Sequence, residues 1–234
     1  MPDPRDKQDV AGTDWDAARR EMVVRQIRAR GVQSERVLAA MRAVPRHLFV
    51  SPEHATEAYN DTPLPIGGGQ TISQPYIVAA ISEALSLEGD EDVLEIGAGC
   101  GYQAAVLSLL ARQVTSIEAV PALAAGARER LSRLGFRNVQ VIEADGSAGW
   151  PAGAPYRAIL VSAAAPRVPA PLLEQLAEGG RLVIPVGDLE SQELQRIVRT
   201  KDGFDTEVIC GCRFVPLMGH FGWSGNASPE LPGT

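Results

Sequence analysis

From residue 92 to residue 187 the chain alternates short, almost wholly apolar runs with longer amphipathic ones. DVLEIGAG, QVTSIEA, VQVIEAD, RAILVSAAA and RLVIPVG read as strands. YQAAVLSLLA, PALAAGARERLSRLG and PAPLLEQLAEGG read as helices between them. Strands that are apolar at nearly every position must be covered on both faces, and parallel neighbours need a crossover to return the chain. The pattern predicts an α/β fold: a mostly parallel sheet with helices on both faces. Past Gly187 the rhythm changes. Two strand-like runs within QELQRIVRTKDGFDTEVICGCRFVPL flank an Asp202-Gly203 turn signal, which predicts an antiparallel ribbon at the sheet edge.

The chain before residue 89 reads differently. Asp14 suits the N-cap of a first helix with an apolar stripe at Trp15, Ala18, Met22 and Ile27, closed by Gly31. Ser34 suits the cap of a second, with Val37, Leu38 and Met41 inward and Pro45 at its end. Prolines and glycines break residues 47–69 into loop, and a third helix follows from Gln74 to Leu87, with Pro75 in its first turn. His47 is expected to pack or cap within this lobe. The division expected is a disordered tail over 1–14, an N-terminal helical subdomain with a loop at the site over 15–88, a ligand-binding domain over 89–223 and a disordered tail over 224–234.

A net charge of −7 and a pI near 5.1 argue against nucleic acid as a partner. No window approaches the ~20 apolar residues of a membrane span, and the polar start MPDPRDKQDV has no signal-peptide core. Cys100, Cys210 and Cys212 form an odd, sparse set that suits a reducing cytoplasm, and no metal site is expected.

Three features fall at the carboxyl ends of three successive strands. Gly97, Gly99 and Gly101 sit in a strand-to-helix turn, where glycine permits a tight bend and close ligand approach; a purely structural turn would read the same way. Glu118 ends the next strand and can accept hydrogen bonds from ribose hydroxyls, or be a solvated strand-end charge. Asp145-Gly146 ends the third, where a carboxylate can accept from an exocyclic amine such as adenine's. Together they predict a nucleoside site. The spacing is G-x-G-x-G, which weakens a dinucleotide reading, and there is no phosphate-binding G-x-x-x-x-G-K-[ST] loop. A phosphate-free nucleoside such as S-adenosylmethionine (AdoMet) fits best.

The chain resembles the protein-L-isoaspartate O-methyltransferases over about Met22 to Trp223. The likeness is carried by MVVRQIRARGV, VPRHLFV, VLEIGAGCGYQAAVLS, EADGSAGWP, LLEQLAEGGRLVIPVG and RFVPLMG, with PLPIGGGQTISQPYIVA the most specific piece and AAAPRVPAPLLEQL in support. The resemblance implies a Rossmann-like AdoMet-dependent methyltransferase fold, with residues 89–223 as the AdoMet-binding domain. It implies methyl transfer to the free α-carboxyl of L-isoaspartyl residues in damaged proteins and peptides, leaving S-adenosyl-L-homocysteine. The ester then closes to a succinimide, which begins protein repair. Ser73 matches the active-site serine. Gln70, Thr71 and Ile72 lie in the strip beside cofactor and substrate, Gly97, Gly99, Glu118, Asp145 and Gly146 match AdoMet contacts, and Gln192 lies in a loop placed near the substrate.

The implied chemistry suits these residue types. A carboxylate is already ionised at neutral pH, so it needs alignment and replacement of its lost hydration more than a general base. Ser73 is therefore expected to donate a hydrogen bond rather than act as a nucleophile; without the resemblance, it reads first as a cap for the helix at Pro75. SAAAPR stands where many amino-methyltransferases carry an Asn/Asp-Pro-Pro-aromatic motif, against a nitrogen acceptor. Cys100 and Arg157 depart from the family pattern, the latter standing where relatives often have Asp.

Overall fold

A computed structural model describes residues 13–223; the expected tails lie outside it except for Thr13 and Asp14. Asp14 accepts a hydrogen bond from the Ala17 N–H at 2.8 Å and so caps α1 (Trp15–Glu21). The rod continues through a π-helical turn over Met22–Ile27 and a 3₁₀ turn to Gly31, whose φ of +104° closes it. Ser34 occupies the N-cap of α2 (Glu35–Ala43), which buries Val37, Leu38, Ala40 and Met41. His47 packs as the sequence suggests. Its ring stacks on Trp15 at 4.4 Å and its Nδ1 lies 2.7 Å from the Tyr59 hydroxyl.

Residues 47–69 are more ordered than a loop. Two 3₁₀ turns lead into an antiparallel hairpin, β1 (Leu64–Gly67) and β2 (Gln70–Ile72). Gly67, Gly68 and Gly69 take φ values of +89°, +60° and +70°. Three consecutive left-handed residues favour glycine strongly, so the triplet makes the hairpin tip rather than a hinge. The third helix, α3, is Pro75–Ala84, shorter than its apolar pattern.

The main sheet contains β3 (Asp92–Ile96), β4 (Gln113–Glu118), β5 (Val139–Glu143), β6 (Tyr156–Val161), β7 (Leu176–Gly187), β8 (Gln192–Arg199) and β9 (Phe204–Cys212). Their spatial order is β5-β4-β3-β6-β7-β8-β9. The first five pair in parallel, and β8 and β9 add the antiparallel ribbon expected at the edge. Helices α4 (Tyr102–Ser108), α5 (Pro121–Arg133) and α6 (Ala170–Glu174) fall between the parallel strands. The last is the main departure from the sequence reading. Leu176–Gly180 continues as strand, because β6 pairs Tyr156 with Leu176 and then jumps register to pair Ala158 with Arg181. A Cβ at Gly180 would lie 2.7 Å from the Ala177 carbonyl oxygen and 2.9 Å from that of Tyr156, so glycine makes the bulge possible.

Side chains alternate across the sheet as its pleat requires. Val93, Ala158, Leu160 and Val183 join one cluster, which also takes in Met22, Leu38, Phe49 and Ile77 from the N-terminal lobe. Leu94, Ile96, Ile159, Val161 and Leu182 join the other, with Leu172 and Leu217. Arg157, without a sequence-based account, forms an exposed ion pair with Asp90 at 2.9 Å.

Candidate active site

The strand order reverses at β3, whose neighbours are β4 on one side and β6 on the other. Open parallel sheets bind ligands outside the carboxyl ends of their strands at such a switch point. Here a cleft lies at the ends of β3, β4 and β6. It is lined by Gln70, Thr71, Ile72, Ser73, Gly97, Gly99, Glu118 and Gly146, among others. Eight of the ten residues singled out from the sequence thus meet around one space.

The floor of the cleft is main chain. The Gly97 N–H donates to the Ile117 carbonyl at 2.8 Å and the Ser162 N–H to that of Ile96 at 2.8 Å, which carries the sheet ladder to the ends of the strands. Gly97, Gly99 and Gly101 all have positive φ. Glu118 is 6% exposed, and its oxygens accept the Gly99 N–H at 2.8 Å and the Val120 N–H at 2.9 Å. One carboxylate therefore braces the glycine turn and the entry to α5 and keeps spare lone pairs for hydroxyl donors. A Cβ at Gly146 would meet Ile96 Cγ2 at 2.6 Å. Glycine there lets the turn after β5 close onto β3.

Asp145 and Gln192 lie outside the lining. Asp145 Oδ1 accepts the Ser147 N–H and Oδ2 accepts the His220 N–H at 2.9 Å. Partial burial opposes its charge, but the His220 N–H, the Ser147 hydroxyl and the Ser147 N–H outweigh it, so the carboxyl titrates below its ordinary range. Gln192 is 2% exposed; its amide nitrogen donates to the Asp188 carbonyl and its oxygen accepts the Phe214 N–H at 2.8 Å.

Ser73 joins β2 to α3 and is half-buried. It does not cap α3: the N-cap is Gln74, and the Tyr76 N–H is met by Asp61 Oδ1 at 3.0 Å. With Asp61 in that role, the Ser73 hydroxyl has no hydrogen-bond partner among the described residues and stands in the wall of the cleft.

The structure adds residues the sequence left without a role. Val215, Pro216, Leu217 and Met218 form another wall, with Ser162 and Ala163 after β6. RFVPLMG was among the pieces that carry the family resemblance, but only the sheet's path shows that it returns to the switch point. No Lys, Arg or His lines the cleft, and Glu118 is its one charged side chain among the described residues. An anion entering it must be received by hydroxyls, side-chain amides and backbone N–H groups. Behind the floor, Glu95 on β3 is fully buried. Burial pushes its carboxyl up to about 8, against a hydrogen bond from the Ser116 hydroxyl, with Glu118 adding to the rise. Among the described residues no group of three or more His, Cys, Asp or Glu is placed to hold a metal ion, and no helix is long and apolar enough to cross a membrane.

The residues fit a phosphate-free nucleoside: the glycine floor admits close approach, and Glu118 offers acceptors at the end of β4. Sheet, switch point and cleft define a Rossmann-like AdoMet-dependent methyltransferase. The family model described as protein-L-isoaspartate(D-aspartate) O-methyltransferase (PCMT) matches residues 18–222, and the chain belongs to that family. It is 54% identical to the protein-L-isoaspartate O-methyltransferase of Methanoculleus marisnigri, over 90% of this chain and 96% of that one. With the Methanospirillum hungatei enzyme of the same name it shares 57% identity, over 88% and 95% of the two chains. A solved protein-L-isoaspartate O-methyltransferase superposes with a TM-score of 0.77 at 30% identity, covering 87% of this chain and 67% of that one. A Plasmodium falciparum chain reported under the same family name, in complex with S-adenosyl-L-homocysteine, shares the fold with a TM-score of 0.74 at 24% identity, over 86% and 98% of the chains.

Proposed function

We propose that the protein methylates the free α-carboxyl of L-isoaspartyl residues in damaged proteins and peptides, starting repair through a methyl ester and a succinimide. The observation that carries this reading is the Ser73 hydroxyl, which among the described residues has no partner and stands in the wall of a cleft that no cationic side chain lines. AdoMet, when bound, supplies a methyl group activated by its sulfonium. Gly97, Gly99 and Gly146 would hold it through close main-chain approach, Glu118 through its carboxylate, and Gln70, Thr71 and Ile72 from the hairpin above, while Asp145, outside the lining, would act only by holding the Ser147 and His220 N–H groups.

The remaining work is positional. The acceptor carboxylate is ionised at neutral pH and needs no base. Ser73 donates to it, replaces part of its lost hydration and fixes its direction of approach. Thr71 offers a second hydroxyl in the same wall. Ile72, Val78, Ile81 and Leu217 exclude water from the space. Gln192 supports the substrate side indirectly, by holding the Phe214 N–H just before Val215. The odd, sparse cysteine set supports a cytoplasmic setting.

Incubation with methyl-labelled AdoMet and a pair of peptides differing only in an isoaspartyl or aspartyl linkage tests the reading. Label should enter the isoaspartyl peptide alone as a base-labile ester. Equal labelling of both, or of neither, overturns it.

A further inference from the structure

The segment after β9 is held rigidly, yet it turns two large apolar side chains to solvent. The Ala164 N–H donates to the Val215 carbonyl at 2.8 Å, and the Leu217 N–H returns to the Ala164 carbonyl at 2.8 Å. The Trp223 indole N–H donates to the same Ala164 carbonyl at 3.0 Å. Between these anchors the His220 N–H meets Asp145 and the Phe221 N–H meets the Ser147 hydroxyl at 3.0 Å. The approach is so close that a Cβ at Gly219 would lie 2.1 Å from Asp145 Oδ1 and one at Gly222 2.0 Å from the Leu217 carbonyl oxygen. Within this strap Leu217 is 4% exposed, whereas Met218 and Phe221 are each 39% exposed.

Isolated exposed apolar residues are ordinary. These two share one tightly anchored strap, and Met218 also lines the reaction cleft. The substrate's own chemistry says what must pass there. In an isoaspartyl linkage the chain continues through the side-chain carbonyl, and only the α-carboxyl is free. A cleft that takes the carboxyl leaves the neighbouring residue of the polypeptide at its rim. A preformed apolar platform costs little ordering entropy on contact, and methionine adapts to varied shapes.

We propose that Met218 and Phe221 form a docking platform for an apolar side chain flanking the isoaspartyl residue, and so set sequence preference among damaged sites. The proposal rests on the carboxyl-methylation reading. The test uses two peptide series with one isoaspartyl residue, varying the preceding or the following position between Leu or Phe and Ser or Asn. In at least one series the apolar neighbour should raise kcat/KM about five- to tenfold, the range that burying about half of one such side chain supports. Phe221→Ser, and the pair Met218→Ser with Phe221→Ser, should reduce that ratio towards one. Met218→Leu with Phe221→Leu, which keeps the apolar surface, should retain it. The readout is a ratio within one enzyme, so a general loss of activity or folding does not imitate it. A wild-type ratio near one in both series, or a ratio unchanged in the serine variants, overturns the platform. Absence of methylation with every peptide would instead overturn the underlying function.

Discussion

At the residue scale, two side chains lend themselves to direct measurement. Ser73 carries a hydroxyl in the cleft wall that has no partner among the described residues, while Asp61 satisfies the helix start next to it. A hydrogen bond to a charged acceptor contributes about 1.5–3 kcal/mol. Ser73→Ala should therefore lower kcat/KM for an isoaspartyl peptide about ten- to a hundredfold. AdoMet affinity by calorimetry should change much less; undiminished turnover would remove the residue from the mechanism. Glu95 makes a different prediction. Its folded carboxyl is held up at about 8 by burial, against 4.5 for the free group. Over that window the unfolded chain ionises while the folded one keeps its proton, so rising pH favours unfolding. The contribution is fully present below pH 4.5 and is lost as pH climbs through about 8. Glu95→Gln has no such proton to lose. Its melting temperature relative to wild type should rise from about pH 5 and level off above about pH 8 in thermal scans. A constant difference would show that Glu95 is not buried in its neutral form.

At the scale of elements, the parallel strands and the edge ribbon were legible because their cause is local: apolar runs of strand length between helical ones. Two elements were not. The hairpin β1–β2 has strands of four and three residues, too short for an alternation to declare itself, and its glycines carry no periodicity. The end of α6 was overextended because LAEGG has no helix-breaking proline. Its strand conformation is imposed by pairing with Tyr156, some twenty residues earlier. The turn after β5 gives a prediction at this scale. Gly146→Ala would drive a methyl against Ile96 and Ile117 on two neighbouring strands. Overpacking of this kind costs about 1–3 kcal/mol. Urea denaturation should show a lower midpoint, and AdoMet should bind more weakly because the strand ends no longer meet. An unchanged midpoint would mean that the turn has room the geometry does not show.

At the scale of the whole molecule, the strand-end side of the cleft was readable from topology, and the facing wall only in part: Gln70 to Ser73 were singled out, while residues 215–218 were given no role. Glycines and acids at strand ends belong to one continuous stretch of sequence, and parallel topology alone gathers them. The facing wall comes from Ile66, residues 70–73 and residues 215–218, far apart in the chain and on opposite sides of that stretch. The N-terminal lobe is not an appendage to the sheet, since its buried side chains share one cluster with β3, β6 and β7. Asp145 was legible as a strand-end acid, but its hold on the far C-terminal strap depends on a route that only the folded chain reveals.

That route has a parity. β7 points towards the cleft, β8 turns away from it, and β9 turns back. Two reversals cancel, so the chain leaves β9 at the same edge of the sheet as the ends of β3 to β7. With one antiparallel strand instead of two, residues 213–223 would emerge at the opposite edge, a full strand length from Asp145. The ribbon thus works as a direction-restoring detour, and any relative of this fold that loses or gains a single edge strand must build its substrate wall from some other part of the chain.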